Sequence, residues 1–328
     1  MGVYHFMGLG RSVGAVTAAV SYLAARYQRY DVNDEEFFAL SGEVSQSGKR
    51  GDMQALIVFT TPEVREGKPN GLCYEYIANP LGQRHGPTKK DEPMAIALRA
   101  LLRPDLPILS GGRSTLDMYW CEIERTDLAV AFERVAYVLA AAKPSGEVGK
   151  EVWVNLTGGS NIVNMALQLA AALSGKASRL YYLQADENKL ARPPLALTDI
   201  GTEQDRFWVE LPLIYLAFDA KHRAILEELQ TLARPITEGD LLSRLKGGPF
   251  WQEFQSTEPQ RFRRDYLIPL HAQQLLQWQG DNLQIGPRWH AVRQYYDVMT
   301  SITAEQPATL AELAKSQPWF HEDPLPLR

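Results

Sequence analysis

A buried strand that ends in a glycine turn and feeds a long helix occurs twice in this chain, and few patterns constrain a fold as tightly. The clearer copy runs from Glu151 to Leu173. Val152, Val154 and Leu156 are strand formers, Thr157-Gly158-Gly159-Ser160 is a tight turn, and a helix follows from Asn161 with Met165, Leu167 and Leu169 along it. The other copy opens the chain. Val3 to Met7 is a strand, Gly8-Leu9-Gly10-Arg11-Ser12-Val13-Gly14 is a turn, and Ala15 to Tyr27 is a helix with Val16, Val20, Leu23 and Ala24 at helical spacing. Glycines let a ligand approach the backbone with no Cβ in the way. A helix N-terminus offers unpaired N–H groups and the positive end of the dipole to an anion. In a parallel α/β sheet such turns fall at the carboxyl edge, where these folds bind ligands. The sequence therefore predicts two anion cradles on one sheet edge.

The first part of the chain continues the alternation. Ala55 to Thr60 reads as a buried strand, Cys73 to Ile77 as a further strand, Met94 to Leu102 and Leu128 to Ala142 as helices, and Arg179 to Gln184 as one more strand. Ile108 to Ser114 is a third glycine-rich loop and carries Arg113. Alternating strands and helices predict a parallel sheet covered on both faces.

After Asp186 the alternation stops. An apolar crossover near Phe207 to Phe218 leads to a helix from Lys221 to Leu232 and a second helix after Thr237, which is placed to cap it. A helical run from Pro259 to Leu276 carries Arg261, Arg263 and Arg264. Two alternating segments around Gly280-Asp281 then predict a β-hairpin. Helix, helix, helix and hairpin is the order of a winged helix-turn-helix. Further helices from Arg293 and after Thr309 close the chain. The expected boundaries are 1–190 for the α/β domain and 191–328 for a linker and the winged-helix-like domain.

Composition narrows the chemistry. With 328 residues, two domains are the default, and 45% hydrophobic residues with a net charge of −5 describe an ordinary water-soluble chain. Two cysteines, Cys73 and Cys121, give neither a disulfide framework nor metal-ligand spacing, and six histidines are scattered, so no metal and no cofactor is expected. No leader and no membrane span of about 18 apolar residues is read, which points to a cytoplasmic protein. Beyond residue 204 the chain holds 13 Lys/Arg against 16 Asp/Glu. That balance gives DNA contact by Arg261, Arg263 and Arg264 little electrostatic help, and a solvated helix face competes with it.

Three chemistries compete for the glycine turns. A dinucleotide fingerprint is suggested by Gly8, Gly10 and Gly14, but the second strand ends Phe59-Thr60-Thr61-Pro62 with no carboxylate for a ribose. Ser12 lacks the Gly-x-Ser-x-Gly elbow of a nucleophile and reads better as a helix cap whose hydroxyl meets a phosphate. The third reading rests on both turns together.

Gly8-Leu9-Gly10-Arg11-Ser12-Val13-Gly14 and Asn155-Leu156-Thr157-Gly158-Gly159-Ser160-Asn161 resemble the two signature turns of the CARF family, the Rossmann-like sensor domains of CRISPR systems. The resemblance covers about residues 1 to 190. It implies a type III CRISPR accessory protein: a homodimer that binds cyclic oligoadenylate, most often cyclic tetra-adenylate, across its two-fold axis. By the match, Gly8, Gly10, Arg11, Ser12, Thr157, Gly158, Gly159, Ser160 and Asn161 would meet the ring. Arg113 is added on charge alone. Gly158→Val is expected to block binding by filling the phosphate's place. The winged-helix-like domain would be the output, with DNA as a possible partner.

An alternative implied by the same resemblance is a metal-independent ring nuclease that degrades the ring to linear di-adenylate. Many members carry Lys or Arg shortly after the second Gly-Gly, where this chain reads Ser160-Asn161-Ile162-Val163. The catalytic candidates would be Ser12 and Asn161. A dinucleotide-dependent enzyme is the third class.

Overall fold

The computed structural model describes residues 2–10, 13–29, 37–38, 49–66, 93–103, 105–144, 150–183, 208–212, 220–232, 234–304 and 309–327. Arg11, Ser12, Cys73 to Ile77 and residues 213–219 lie outside these spans.

In chain order the elements are β1 (Gly2–Gly8), α1 (Gly14–Arg29), β2 (Met53–Thr60), α2 (Pro62–Glu66), α3 (Met94–Leu102), α4 (Leu106–Leu109), β3 (Thr115–Glu122), α5 (Leu128–Ala142), β4 (Lys150–Asn155), α6 (Asn161–Ser174), β5 (Arg179–Leu183) and β6 (Trp208–Leu211). Then come α7 (Ala220–Thr231), β7 (Ile236–Thr237), α8 (Glu238–Gly247), α9 (Trp251–Phe254) and α10 (Pro259–Arg261). A π-helical turn (Phe262–Leu267) joins α10 to α11 (Ile268–Ala272), which β8 (Leu276–Gln279) and β9 (Asn282–Ile285) follow. The chain ends with α12 (Trp289–Ala304), α13 (Leu310–Ser316), β10 (Phe320–Glu322) and β11 (Leu325–Pro326). Among the described residues no helix is long and apolar enough to cross a membrane.

The residues group into two compact units: Met1–Tyr215 with Met299–Arg328, and Leu216–Val298. The split differs from the expected 1–190 and 191–328, because the chain's last strands return to the first unit. Both β10 and β11 pair antiparallel with β3. Asp323 clasps the return: it accepts from the Trp120 indole at 3.0 Å and pairs with Arg99. The apolar crossover expected near Phe207 is, over Trp208–Leu211, an antiparallel edge strand on β5.

The first unit holds one sheet in the order β10-β3-β2-β1-β4-β5-β6. Strands β3, β2, β1, β4 and β5 run parallel, as the alternation of strand and helix predicts. Its two faces read off the period-2 alternation. Met7, Val58, Met118 and Trp120 join the cluster that packs with α1. Phe6, Phe59, Tyr119 and Cys121 point to the other face and are equally buried. Burial on both sides is the condition that makes parallel strands run apolar end to end. The sheet starts at β1 and winds outward both ways, through β2 to β3 and through β4 to β5. Its topological switch point therefore lies between β1 and β4.

In the second unit β7, β9 and β8 form a three-stranded antiparallel sheet in that order. Thr237 caps α8 by accepting from the Asp240 amide at 3.2 Å. Leu226, Leu241, Leu245, Phe254, Phe262 and Leu283 are among the buried residues that form its own core.

Candidate functional site

The two glycine turns lie at the carboxyl ends of β1 and β4, which are neighbours in the sheet with Met7 opposite Asn155. They touch. A Cβ on Gly8 would fall 2.4 Å from the Gly158 carbonyl oxygen, and one on Gly10 would sit 3.6 Å from the Gly159 carbonyl carbon. Close approach of two backbones is why glycine stands at Gly8. Gly159 has φ of +101°, a region that side chains rarely adopt.

The second turn is held by its own side chains. Asn155 is fully buried and uses both ends of its amide: Nδ2 donates to the Ala15 carbonyl in the first turn of α1 at 3.1 Å, and Oδ1 accepts from the Thr157 amide at 2.8 Å. One residue thus ties the second turn to the start of α1. The Thr157 hydroxyl accepts from the Leu183 amide at 2.8 Å, fixing the turn to the end of β5. Ser160 caps α6, its hydroxyl accepting from the Val163 amide at 3.3 Å. Among the described residues no acceptor is found for the backbone N–H groups of Gly159, Ser160 and Asn161. These donors remain for an anion. The first turn is held from β2 instead. The Thr60 hydroxyl donates to the Leu9 carbonyl, and the Leu9 amide to the Phe59 carbonyl, both at 2.8 Å.

A cavity of about 260 Å³ opens where the turns meet, lined by Leu9, Gly10, Thr61, Gly159, Ser160 and Arg125, with Val64 and Val163 behind. Gly10, Gly159 and Ser160 were expected here. Gly8 lies against Gly158, where the two turns touch. Gly158 itself packs on α1, since a Cβ there would fall 2.0 Å from the Ala15 Cβ. The expected effect of Gly158→Val is therefore a clash with Ala15 that disturbs the packing of turn on helix. Thr157 has its hydroxyl committed to Leu183, and Asn161 is exposed at the start of α6. Arg11 and Ser12 fall outside the described residues.

Arg113 does not join them. It precedes β3, at the amino edge of the sheet and the opposite end from the turns. Its guanidinium donates to the carbonyls of Ser110 at 3.0 Å, Gln54 at 3.1 Å and Met53. The cation that does line the cavity is Arg125, just beyond the carboxyl end of β3. Sequence reasoning missed it because β3 itself was not read. The available signal was the alternation of Leu116, Met118 and Trp120.

In the second unit, Arg264 pairs with Asp265 at 2.5 Å and Arg263 with Glu238 at 3.6 Å. Arg263 also lies 5.8 Å from the centre of the Trp278 ring. Arg261, Arg263 and Arg264 are all exposed.

No family model matches this chain. A protein of Archaeoglobus fulgidus described as an uncharacterized protein is 28% identical over 247 residues, 71% of this chain and 73% of that one. Among solved structures, Enterococcus italicus Csm6 bound to cyclic hexa-2'-fluoro-hexa-dAMP is similar at a TM-score of 0.39 and 9% identity. That match covers 83% of this chain and 54% of the other, so this chain spans about half the length of the structure it matches.

Proposed function

We propose that this chain is a sensor of cyclic oligoadenylate, with cyclic tetra-adenylate as its ligand, acting in type III CRISPR antiviral defence. The observation that carries the reading is the single cavity shared by Gly10 of the first turn and Gly159 and Ser160 of the second. Both turns resemble the CARF signature in sequence, and the fold brings them into contact at the switch point. A volume of about 260 Å³ is below the 300–1,000 Å³ of a whole ligand pocket. It suits one phosphate and its ribose. A ring of repeated phosphates then needs the cavity repeated, which a two-fold homodimer supplies. Arg125 adds the charge that backbone donors lack and can hold a phosphate in bidentate fashion.

The second unit would be the output. Its order of α7, β7, α8, the short α9, the α10 to α11 run and the β8–β9 hairpin, with β7 paired to β9, resembles that of a winged helix-turn-helix. DNA is the partner such a unit would take, through the exposed Arg261, Arg263 and Arg264, each of which has a carboxylate close by.

A second reading is favoured by Arg125. Arg125, just beyond β3, would supply the cation absent after Gly158-Gly159, so the same site could cleave the ring. The ribose 2′-oxygen would attack the adjacent phosphorus, the bond from phosphorus to the 5′-oxygen would break, and the 2′-hydroxyl proton would pass to the leaving oxygen through solvent. Arg125 would stabilise the charge on phosphate.

The test is to incubate purified protein with cyclic tetra-adenylate, weigh the complex by native mass spectrometry and identify the nucleotide afterwards. Two chains carrying one intact ring support the sensor, and linear di-adenylate supports the nuclease. Failure to bind any ring overturns both.

A further inference from the structure

We infer that the cavity beside the cradle is a nucleobase subsite in which one base of the bound adenylate stacks against Trp319. The inference rests on the reading of the site as a nucleotide cradle and adds where the base goes. This second cavity has a volume of about 520 Å³ and lies at the same carboxyl edge, its lining including Pro62, Glu63, Glu124, Arg125, Arg134 and Trp319. It adjoins the first: Arg125 lines both, and Pro62 follows Thr61 of the phosphate cavity. Two strand spacings, about 10 Å, separate β3 from β1 in the sheet. A phosphate at the turns and a base at β3 therefore belong to neighbouring parts of one ligand, with Arg125 between them.

Trp319 is set up as a platform. Its carbonyl accepts from the Glu122 amide at 2.8 Å, which fixes its backbone to the end of β3. The Arg134 guanidinium sits 5.5 Å from the centre of its ring and donates to the Glu122 carbonyl at 2.6 Å. Arginine over an indole holds the ring in place and offers a second flat surface for stacking. Trp319 keeps part of its surface exposed. Glu124 is exposed at the cavity wall, an acceptor that suits the exocyclic amine of adenine. Aromatic and arginine planes beside a phosphate-binding cation are what single nucleotides stack on in proteins that hold unpaired bases.

The test uses the full chain with two probes, cyclic tetra-adenylate, and adenosine 5′-phosphate against ribose 5-phosphate. Trp319→Leu keeps apolar bulk and removes the π face, so its affinity for the ring should fall roughly 5- to 100-fold for each of the two subsites in the dimer, the range one base gains on an aromatic ring. Trp319→Tyr should bind within about 3-fold of wild type. Wild type should hold adenosine 5′-phosphate at least about 10-fold more tightly than ribose 5-phosphate, a preference that Trp319→Leu abolishes. The mononucleotide comparison does not depend on how well the leucine variant folds. If ring binding persists but Trp319→Leu matches wild type, or the two monophosphates bind wild type equally, the subsite is wrong and the sensor stands. If no ring binds yet adenosine 5′-phosphate is preferred through Trp319, the sensor is wrong and the subsite stands.

Discussion

Strand β3 has an arginine beyond each end, and the two meet opposite fates. Arg113, at the amino edge, spends its guanidinium on the carbonyls of Met53, Gln54 and Ser110. Arg125, at the carboxyl edge, is exposed and lines the two cavities beside the glycine turns. At one edge the cation completes the fold, and at the other it stays exposed at a cavity wall. A parallel sheet enforces this asymmetry, because its strand ends and helix mouths open together on the carboxyl side. Charge in the sequence does not say which edge it belongs to; only the strand between the two arginines does.

The comparison can be broken by substitution at each end. Arg113→Met should cost about 3 kcal/mol, roughly 1 kcal/mol for each of its three part-buried hydrogen bonds once solvent has re-paired the carbonyls. Urea unfolding reads this, and the affinity of the folded protein for cyclic tetra-adenylate should not change. A loss below about 1 kcal/mol would make Arg113 dispensable. Arg125→Ala should do the reverse: unfolding within about 0.5 kcal/mol of wild type, and ligand affinity lower by about 1–3 kcal/mol.

The glycines sharpen the same division. Gly158→Ala overpacks against Ala15 and should destabilise by about 1–3 kcal/mol. A Cβ on Gly10 would make only ordinary contact with Gly159. Gly10→Ala should therefore fold normally and weaken binding by narrowing the phosphate cavity. Thermal unfolding beside ligand titration separates the two, and equal destabilisation would erase the distinction.

Cys121, inside β3, provides the mildest probe. Burial pushes its thiol well above the usual range, so in the folded chain it should resist alkylation. With Cys73 replaced by Ser, maleimide labelling of Cys121 should be no faster than unfolding. Arg113→Met should speed it and Arg125→Ala should not. Equal rates in the two variants would mean the strand ends are not distinct in stability.

These contrasts also show what was legible in the sequence. The two strand–turn–helix copies were readable because glycine pairs punctuate local, contiguous patterns. The Thr237 cap and the hairpin around Gly280-Asp281 were readable for the same reason. Strand β3 was missed although Leu116, Met118 and Trp120 alternate and a glycine loop precedes it, because Tyr119 and Cys121, buried on the other face, turn its second half into a continuous apolar run that blurs the period. The return of Phe320–Glu322 to Tyr119–Cys121 spans about 200 residues of chain and three paired residues, which no local pattern announces. Charge alone put Arg113 among the expected residues, missing β3 left out Arg125, and missing the return left out Trp319, both of which line cavities at the carboxyl edge.

The central claim is that the two turns form one phosphate cradle used in duplicate. Calorimetric titration of cyclic tetra-adenylate into the wild-type chain tests it most directly, with Arg125→Ala and Gly10→Ala alongside. The account expects half a ring bound per chain and weaker binding in both variants. One ring per chain, with affinity unchanged in both variants, would contradict it.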